Sequence, residues 1–309
     1  MRPAGIREEV ARYAPYLLTQ ARAPFLPMEA YSHVRVYISV DMEGIAGTFS
    51  WAQDQGEWRP QVRRLMTLEV NAAVEGALEA GASRIVVNDS HDRMSNLDPE
   101  LLHPVAELIQ GSPKPLSMVQ GIDEGFDAAL FLGYHGGAGT AGATLDHTYS
   151  GTVEWDVRIN GRAVNEAALN AGVCGYFGVP VVLVSGDDAA CRQMAEWMPW
   201  ARTVVVKHAV GRTAARSVHP ERARAMLKEA SRDALRAVEK VAPGAVPLLR
   251  FEPPVVVELT TVHTGQADAA CIMPGVERTG PRTLRYTASD YLTAFSALRS
   301  MLIMARSGD

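Results

Sequence analysis

From Val34 onward one rhythm constrains the chain more than any other feature: short β-branched runs alternate with amphipathic stretches rich in Ala, Leu and Glu. The strand candidates are Val34 to Val40, Arg84 to Val87, Ala128 to Leu132, Val179 to Val184 and Val204 to Val206, with Pro254 to Thr260 and Thr283 to Thr287 later. Between and after them, Pro60 to Ala80, Val164 to Phe177, Asp188 to Trp197 and Pro220 to Val241 read as helices. Ser289 to Ala305 reads as a closing helix with Ser289 as N-cap. Strands that alternate with helices are joined as βαβ units, so the expected fold is α/β, a mostly parallel sheet with flanking helices.

A chain of 309 residues can bury a full core without staples, as one large domain or two closely joined lobes. The seam falls early: residues 1–33 precede the first strong strand and are expected to be an N-terminal extension, with 34–309 as the α/β domain. In the extension Ile6, Val10, Tyr13 and Leu17 keep helical spacing that Pro15 should break, which predicts two short helical pieces. Glu8, Glu9 and Pro15 interrupt any apolar stretch of the kind a secretory signal needs. A net charge of -5 argues against a nucleic-acid or anionic-membrane partner. Glycines and polar residues break the long uncharged runs at 128–145 and 167–186, so neither reads as a membrane span. Cys174, Cys191 and Cys271 are odd in number and widely spaced, which fits a reducing cytoplasm and neither a disulfide framework nor a cysteine zinc cluster.

In an open α/β sheet, ligands bind beyond the carboxyl ends of the strands. Here the apolar runs are followed by Asp41-Met42-Glu43-Gly44, by Asn88-Asp89-Ser90-His91, by Gly133-Tyr134-His135-Gly136 and by Ser185-Gly186-Asp187-Asp188. One such ending is ordinary turn chemistry, whereas four in succession point to a site. Asp41 and Glu43, one residue apart, would point to the same side in extended backbone and suit divalent metal. Imidazoles mixed with carboxylates suit zinc, and also manganese or cobalt. Glu166, at the start of a helix, is the best candidate for a third carboxylate, although a first-turn Glu is also favourable for the helix itself.

The segments VDMEGIAG at 40–47, VNDSH at 87–91, GYHGGAGT at 133–140, LDHTYSG at 145–151, NEAALNAG at 165–172 and VSGDD at 184–188 resemble, in order and spacing, the D-aminopeptidase family of binuclear zinc peptidases. The resemblance runs from about Tyr37 to the final helix. It implies that Asp41 bridges two zinc ions, that Glu43 and His91 complete one site, and that His135 and Glu166 complete the other. His147 matches the position given a catalytic role. The resemblance further implies a homodecamer of two five-membered rings and release of N-terminal D-residues from short peptides. This chain departs from the pattern in its N-terminal extension and in the uncharged loop Gly136-Gly137-Ala138-Gly139, expected near substrate.

Two metal ions would lower the pKa of a water to about 7 and polarise the scissile carbonyl. His147 is then read as acid or oxyanion partner rather than nucleophile, and Asp187 or Asp188 as the counter-charge for the substrate ammonium, with helix N-cap the commoner job for Asp188. Three other readings compete. Gly137 to Gly142 fits GxGxxG, but no helix opens within it, which counts against a nicotinamide cofactor. A binuclear phosphoesterase would use the same ligand types, and a catalytically silent ring-forming binding protein would need a broken site. The tryptophans form no stacking array, and Lys207-His208, which follows a strand, receives no role.

Overall fold

The computed structural model describes residues 34–308, so the expected helical pieces within 1–33 lie outside the described residues. Strands β1 (Arg35–Val40), β2 (Arg84–Asp89), β3 (Ala106–Ile109), β4 (Ala128–Tyr134), β7 (Val181–Asp187), β8 (Arg202–Gly211) and β9 (Ala214–Ser217) form one sheet in the order β3-β2-β1-β4-β7-β8-β9. All pairings are parallel except the edge hairpin β8–β9. The expected α/β architecture is therefore present.

Alternation along β1 decides which helix packs where. Val36, Ile38 and Val40 face helices α1 (Arg59–Glu79) and α4 (Pro220–Glu239), against Met66, Val70, Ala73, Leu227 and Leu235. Tyr37 looks the other way, into a core shared with α2 (Glu166–Tyr176), α3 (Asp188–Trp197) and α6 (Tyr291–Ala305). That second core also takes in the inner face of a sheet the sequence only half disclosed. It contains β5 (Glu154–Ile159), β6 (Arg162–Ala163), β10 (Val255–Thr261), β11 (Glu277–Arg278) and β12 (Thr283–Ala288), ordered β11-β12-β10-β5-β6 and antiparallel throughout. A short helix, α5 (Thr264–Ala270), follows β10.

Two N-caps sit one residue from where the sequence put them. Asp290, not Ser289, caps α6 by accepting from Thr293 N, and Asp187, not Asp188, caps α3 by accepting from Ala190 N. In each case the capping carboxylate has extended backbone and reaches the amide three residues on, the geometry a cap requires.

The strand order reverses direction at β1, which has β2 on one side and β4 on the other. Such a switch point opens a crevice at the carboxyl ends. There the chain segments cross almost in contact: Asp41 N donates to Leu132 O (2.8 Å) and Gly44 N to Gly133 O (2.7 Å). A Cβ on Gly44 would stand 2.1 Å from Tyr134 O, and one on Gly133 would stand 2.2 Å from Asp41 O. Gly133 also has φ +69°. Beneath the crossing, the Ser39 hydroxyl joins Ser90 Oγ, Met118 O and Tyr134 OH at 2.7–2.8 Å, tying β1 and β4 to the segment just after β2 and to the turn at Met118.

Gly133→Ala should therefore cost about 2–4 kcal/mol, since it combines a left-handed residue with a backbone clash. Urea unfolding would measure this, and a midpoint unchanged within error would contradict the crossing.

Candidate metal centre

The loop after β1 is a tight turn held from outside itself. Fully buried Lys207, inside β8, donates from Nζ to Glu43 O, to Ile45 O (3.1 Å), to Thr48 O (2.7 Å) and to Thr48 Oγ1 (2.8 Å). Glu69 on α1 accepts from Ala46 N at 2.9 Å. The expectation that Asp41 and Glu43 align through extended backbone is corrected: residues 42–44 bend and turn, and the turn brings the two carboxylates together.

All five expected ligands meet at the carboxyl ends of the strands. His91 Nδ1 lies 3.3 Å from Asp41 Oδ1 and 2.8 Å from Glu43 Oε2. His135 Nε2 lies 3.4 Å from both Asp41 Oδ2 and Glu166 Oε1. Asp41 thus turns one oxygen to each histidine. Around a tetrahedral ion with ligands about 2.1 Å away, neighbouring ligand atoms lie about 3.4 Å apart. Two overlapping triads match metal-ligand spacing, Asp41 with Glu43 and His91, and Asp41 with His135 and Glu166. Asp41 Oδ2, Glu43 Oε2 and His135 Nε2 are buried with no hydrogen-bond partner. Buried polar atoms left so cost about 1–3 kcal/mol each, and a cation among them removes that cost.

The second nitrogen of each histidine is already committed. His91 Nε2 faces Asp54 Oδ2 (3.3 Å), and His135 Nδ1 faces Gly136 O (3.0 Å). Such outer partners fix the tautomer and aim the other nitrogen at metal. Glu166 stands in the first turn of α2, capped by Asn165, and Tyr149 N donates to its Oε1 (2.7 Å). His147 is stacked on His135, rings 4.2 Å apart and 5° from parallel. Its Nδ1 faces Leu145 O (2.8 Å), and its Nε2 lies 3.5 Å from Glu166 Oε1 and 3.8 Å from Glu43 Oε1.

Crowded charge dominates the electrostatics. Burial and then the neighbouring Glu43 push the Asp41 carboxyl up, against the pull of the His135 and His91 rings beside it. Burial opposes ionisation of Glu43 too, but His91, His147 and His135 outweigh it and hold that carboxyl well below its usual range. His91 and His135 are drawn well above theirs, burial notwithstanding, by Glu43 and Glu166 respectively. This is a pocket of concentrated negative charge, a setting that favours a bound cation.

The D-aminopeptidase family model matches residues 34–300, which include every residue of this centre. The chain belongs to the D-aminopeptidase family. It is 40% identical over 278 residues to the D-aminopeptidase of Bacillus subtilis strain 168, covering 88% of this chain and 98% of that protein. The solved structure of the zinc-dependent D-aminopeptidase DppA from Bacillus subtilis, a self-compartmentalizing protease, superposes with a TM-score of 0.82 at 38% identity, over 88% of this chain and 98% of that one.

Against the frame of the D-aminopeptidase family, sequence reasoning missed the supports. Asp54 lies behind His91, Trp51 Nε1 donates to Glu43 Oε1 (3.1 Å), and Lys207 lies under the loop. Asp54 acts across 37 positions and Lys207 from within an apolar run, while Trp51, eight residues from Glu43, has no pattern that marks it as a support. Two expected residues prove to be occupied elsewhere. Asp187 accepts from Thr144 N and Ala190 N (both 2.8 Å), and Asp188 pairs with Arg192 and His208, so neither is free to hold a substrate ammonium. Glu154 is buried near the centre with neither carboxyl oxygen hydrogen-bonded among the described residues; burial, then Glu166 and Asp156, push it well above the usual range.

Glu69 carries the pH test of the loop support. Burial raises its carboxyl from 4.5 to about 7, against hydrogen bonding from Ala46 N and the charge of Lys207. A carboxyl raised on folding contributes stability that is full below pH 4.5 and is lost as pH rises through about 7, a span worth about 3 kcal/mol. Glu69→Gln should flatten that part of the stability–pH curve in chemical unfolding at fixed metal. A slope unchanged between pH 4.5 and 7 would count against a buried, raised Glu69.

Proposed function

We propose that the chain is a zinc-dependent aminopeptidase that releases N-terminal D-residues from short peptides. The observation that carries this reading is the division of Asp41 between His91 (3.3 Å) and His135 (3.4 Å), the arrangement a bridging carboxylate needs. Asp41 would bridge two ions per subunit, with Glu43 and His91 on one and His135 and Glu166 on the other. The ligand set also accepts manganese or cobalt. The family match and the convergence of all six residues favour peptide hydrolysis over a binuclear phosphoesterase or a silent ring-forming binding protein.

Bound there, the metal pair supplies water of lowered pKa and polarises the scissile carbonyl. The remaining work falls to side chains. With Nδ1–H given to Leu145 O, His147 presents a bare Nε2 to the site, where it would take the proton the attacking water gives up and then hand that proton to the leaving amine or use it to steady the developing oxyanion. Stacking on His135 fixes the ring plane, and the Trp51 ring packs against His147 near perpendicular, 5.8 Å between ring centroids.

The similar Bacillus subtilis protein is self-compartmentalizing, which supports a closed homo-oligomer here, proposed as a decamer of two pentameric rings. Residues 34–309 would form the catalytic domain and 1–33 an extension from it. A cytoplasmic location is proposed on the free cysteines Cys174, Cys191 and Cys271 and on the absence, among the described residues, of any helix long and apolar enough to cross a membrane.

Two variants divide the roles. Asp41→Ala removes a shared ligand, so bound zinc and hydrolysis of D-residue peptides should fall together. His147→Ala should keep about two zinc ions per subunit while turnover drops by about 10² to 10⁴. Glu43, His135 and His147 also satisfy metal-ligand spacing, so zinc loss in His147→Ala, counted by mass spectrometry, would make His147 a ligand. Light scattering should return a mass near ten times the 33.4 kDa chain, and a monomer at micromolar concentration would refute the ring.

A further inference from the structure

A cavity of about 320 Å³ opens beside the metal centre, at the small end of the range for ligand pockets. His147, Asp146, Arg212, Trp155, Glu154 and Val262 are among its lining residues. Arg212 stands at the tip of the β8–β9 hairpin and is fixed there by four contacts. Its Nε donates to Asp146 Oδ1 (2.7 Å) and its Nη2 to Asp146 O (2.9 Å). Its guanidinium carbon sits 4.7 Å from the centre of the Trp51 ring, and its own carbonyl accepts from Leu145 N at 2.7 Å. Asp146 is itself held by Gly139 N at 2.9 Å, so it cannot swing away with the arginine.

This bracing leaves one edge of the guanidinium open. Arginine has five N–H donors. Asp146 takes Nε–H and one hydrogen of Nη2, so among the described residues Nη1 and the other Nη2 hydrogen make no hydrogen bond, and the side chain remains 53% exposed. That pair of nitrogens is the edge that grips a carboxylate with two parallel bonds.

We propose that Arg212 binds the free carboxylate of the leaving portion of the substrate, which makes the enzyme selective for very short peptides with an unblocked C-terminus. The inference rests on the aminopeptidase reading and extends it. If His147 protonates the leaving amine, the released residue lies on the His147 side, and Arg212 is pinned to Asp146, the residue next to His147. In a released amino acid the amine nitrogen and the carboxylate carbon are only about 2.5 Å apart, given bonds of about 1.46 and 1.52 Å. The proton donor and the carboxylate clamp must therefore be neighbours, as they are here. Each further residue would carry the carboxylate about 3.3–3.6 Å past the clamp.

Zinc-loaded enzyme assayed on D-alanyl-glycine and on D-alanyl-glycinamide tests this, because the scissile bond is the same and only the terminal charge differs. Wild type should prefer the free acid by about 10- to 100-fold in kcat/KM, the range for a charge-assisted pair. Arg212→Ala should bring the ratio close to one, and Arg212→Lys, which keeps the charge and loses the fork, should fall between. Equal rates on the two substrates in wild type, or parallel losses in Arg212→Ala that preserve the ratio, would overturn the clamp while leaving the aminopeptidase reading intact. Failure of wild type to cleave either substrate would overturn both.

Discussion

Three carboxylates, Asp41, Glu43 and Glu166, share a space from which water is nearly excluded, and like charges so placed repel strongly. The architecture around them answers that repulsion. Two histidines stand between the acids, and a third is stacked on one of those two. The pocket has more acceptors than its own donors satisfy, and its three unpartnered atoms belong to Asp41, Glu43 and His135. A divalent ion is the simplest species that balances such a set, since it brings two charges without needing a proton-donor geometry.

Holding acids together also requires a backbone that cannot relax outward. The reversal of strand order at β1 creates the crevice, and the near-contact of the Gly44 and Gly133 segments sets its width. Lys207 gathers the carbonyls of the ligand-bearing turn, and burial draws its own ammonium down to about 8 against the pull of Asp187, Glu69, Glu43 and Asp41. The same ammonium thus acts as hydrogen-bond hub for the turn and as counter-charge under the acids. Support and electrostatics are one interaction here.

The sheet and the ligands were legible in the sequence because both are written locally. β-branched runs mark the parallel strands, and in an open sheet the residue after each run falls where ligands bind. Asp41, His91 and His135 follow that rule directly. Glu166 needed the family resemblance, since a first-turn Glu has an ordinary explanation. The antiparallel sheet was only half visible, as β5 places exposed Trp155 and Arg158 among buried neighbours and β6 and β11 are two residues each. Lys207 is legible in the sequence only as a residue after a strand that could approach the cleft, and its burial depends on carbonyls 159–164 positions earlier in the chain. Asp187 or Asp188 is offered by the sequence as counter-charge for an ammonium, with Asp188 the more usual N-cap, but the capping geometry uses the first and Arg192 and His208 take the second.

One strand reaches both floor and rim of the site. β8 buries Lys207 beneath the ligand turn and ends in the hairpin that presents Arg212 to the cavity, five positions further on. At about 3.3 Å per residue it acts as a ruler of roughly 17 Å, with the metal pocket along its length. A register irregularity between Ala209 and Gly211 lies within that stretch and the turn begins at Arg212, so the number of residues between the two side chains sets how far apart they stand. Within this fold the β8–β9 hairpin is therefore constrained in its length as well as in the arginine at its tip.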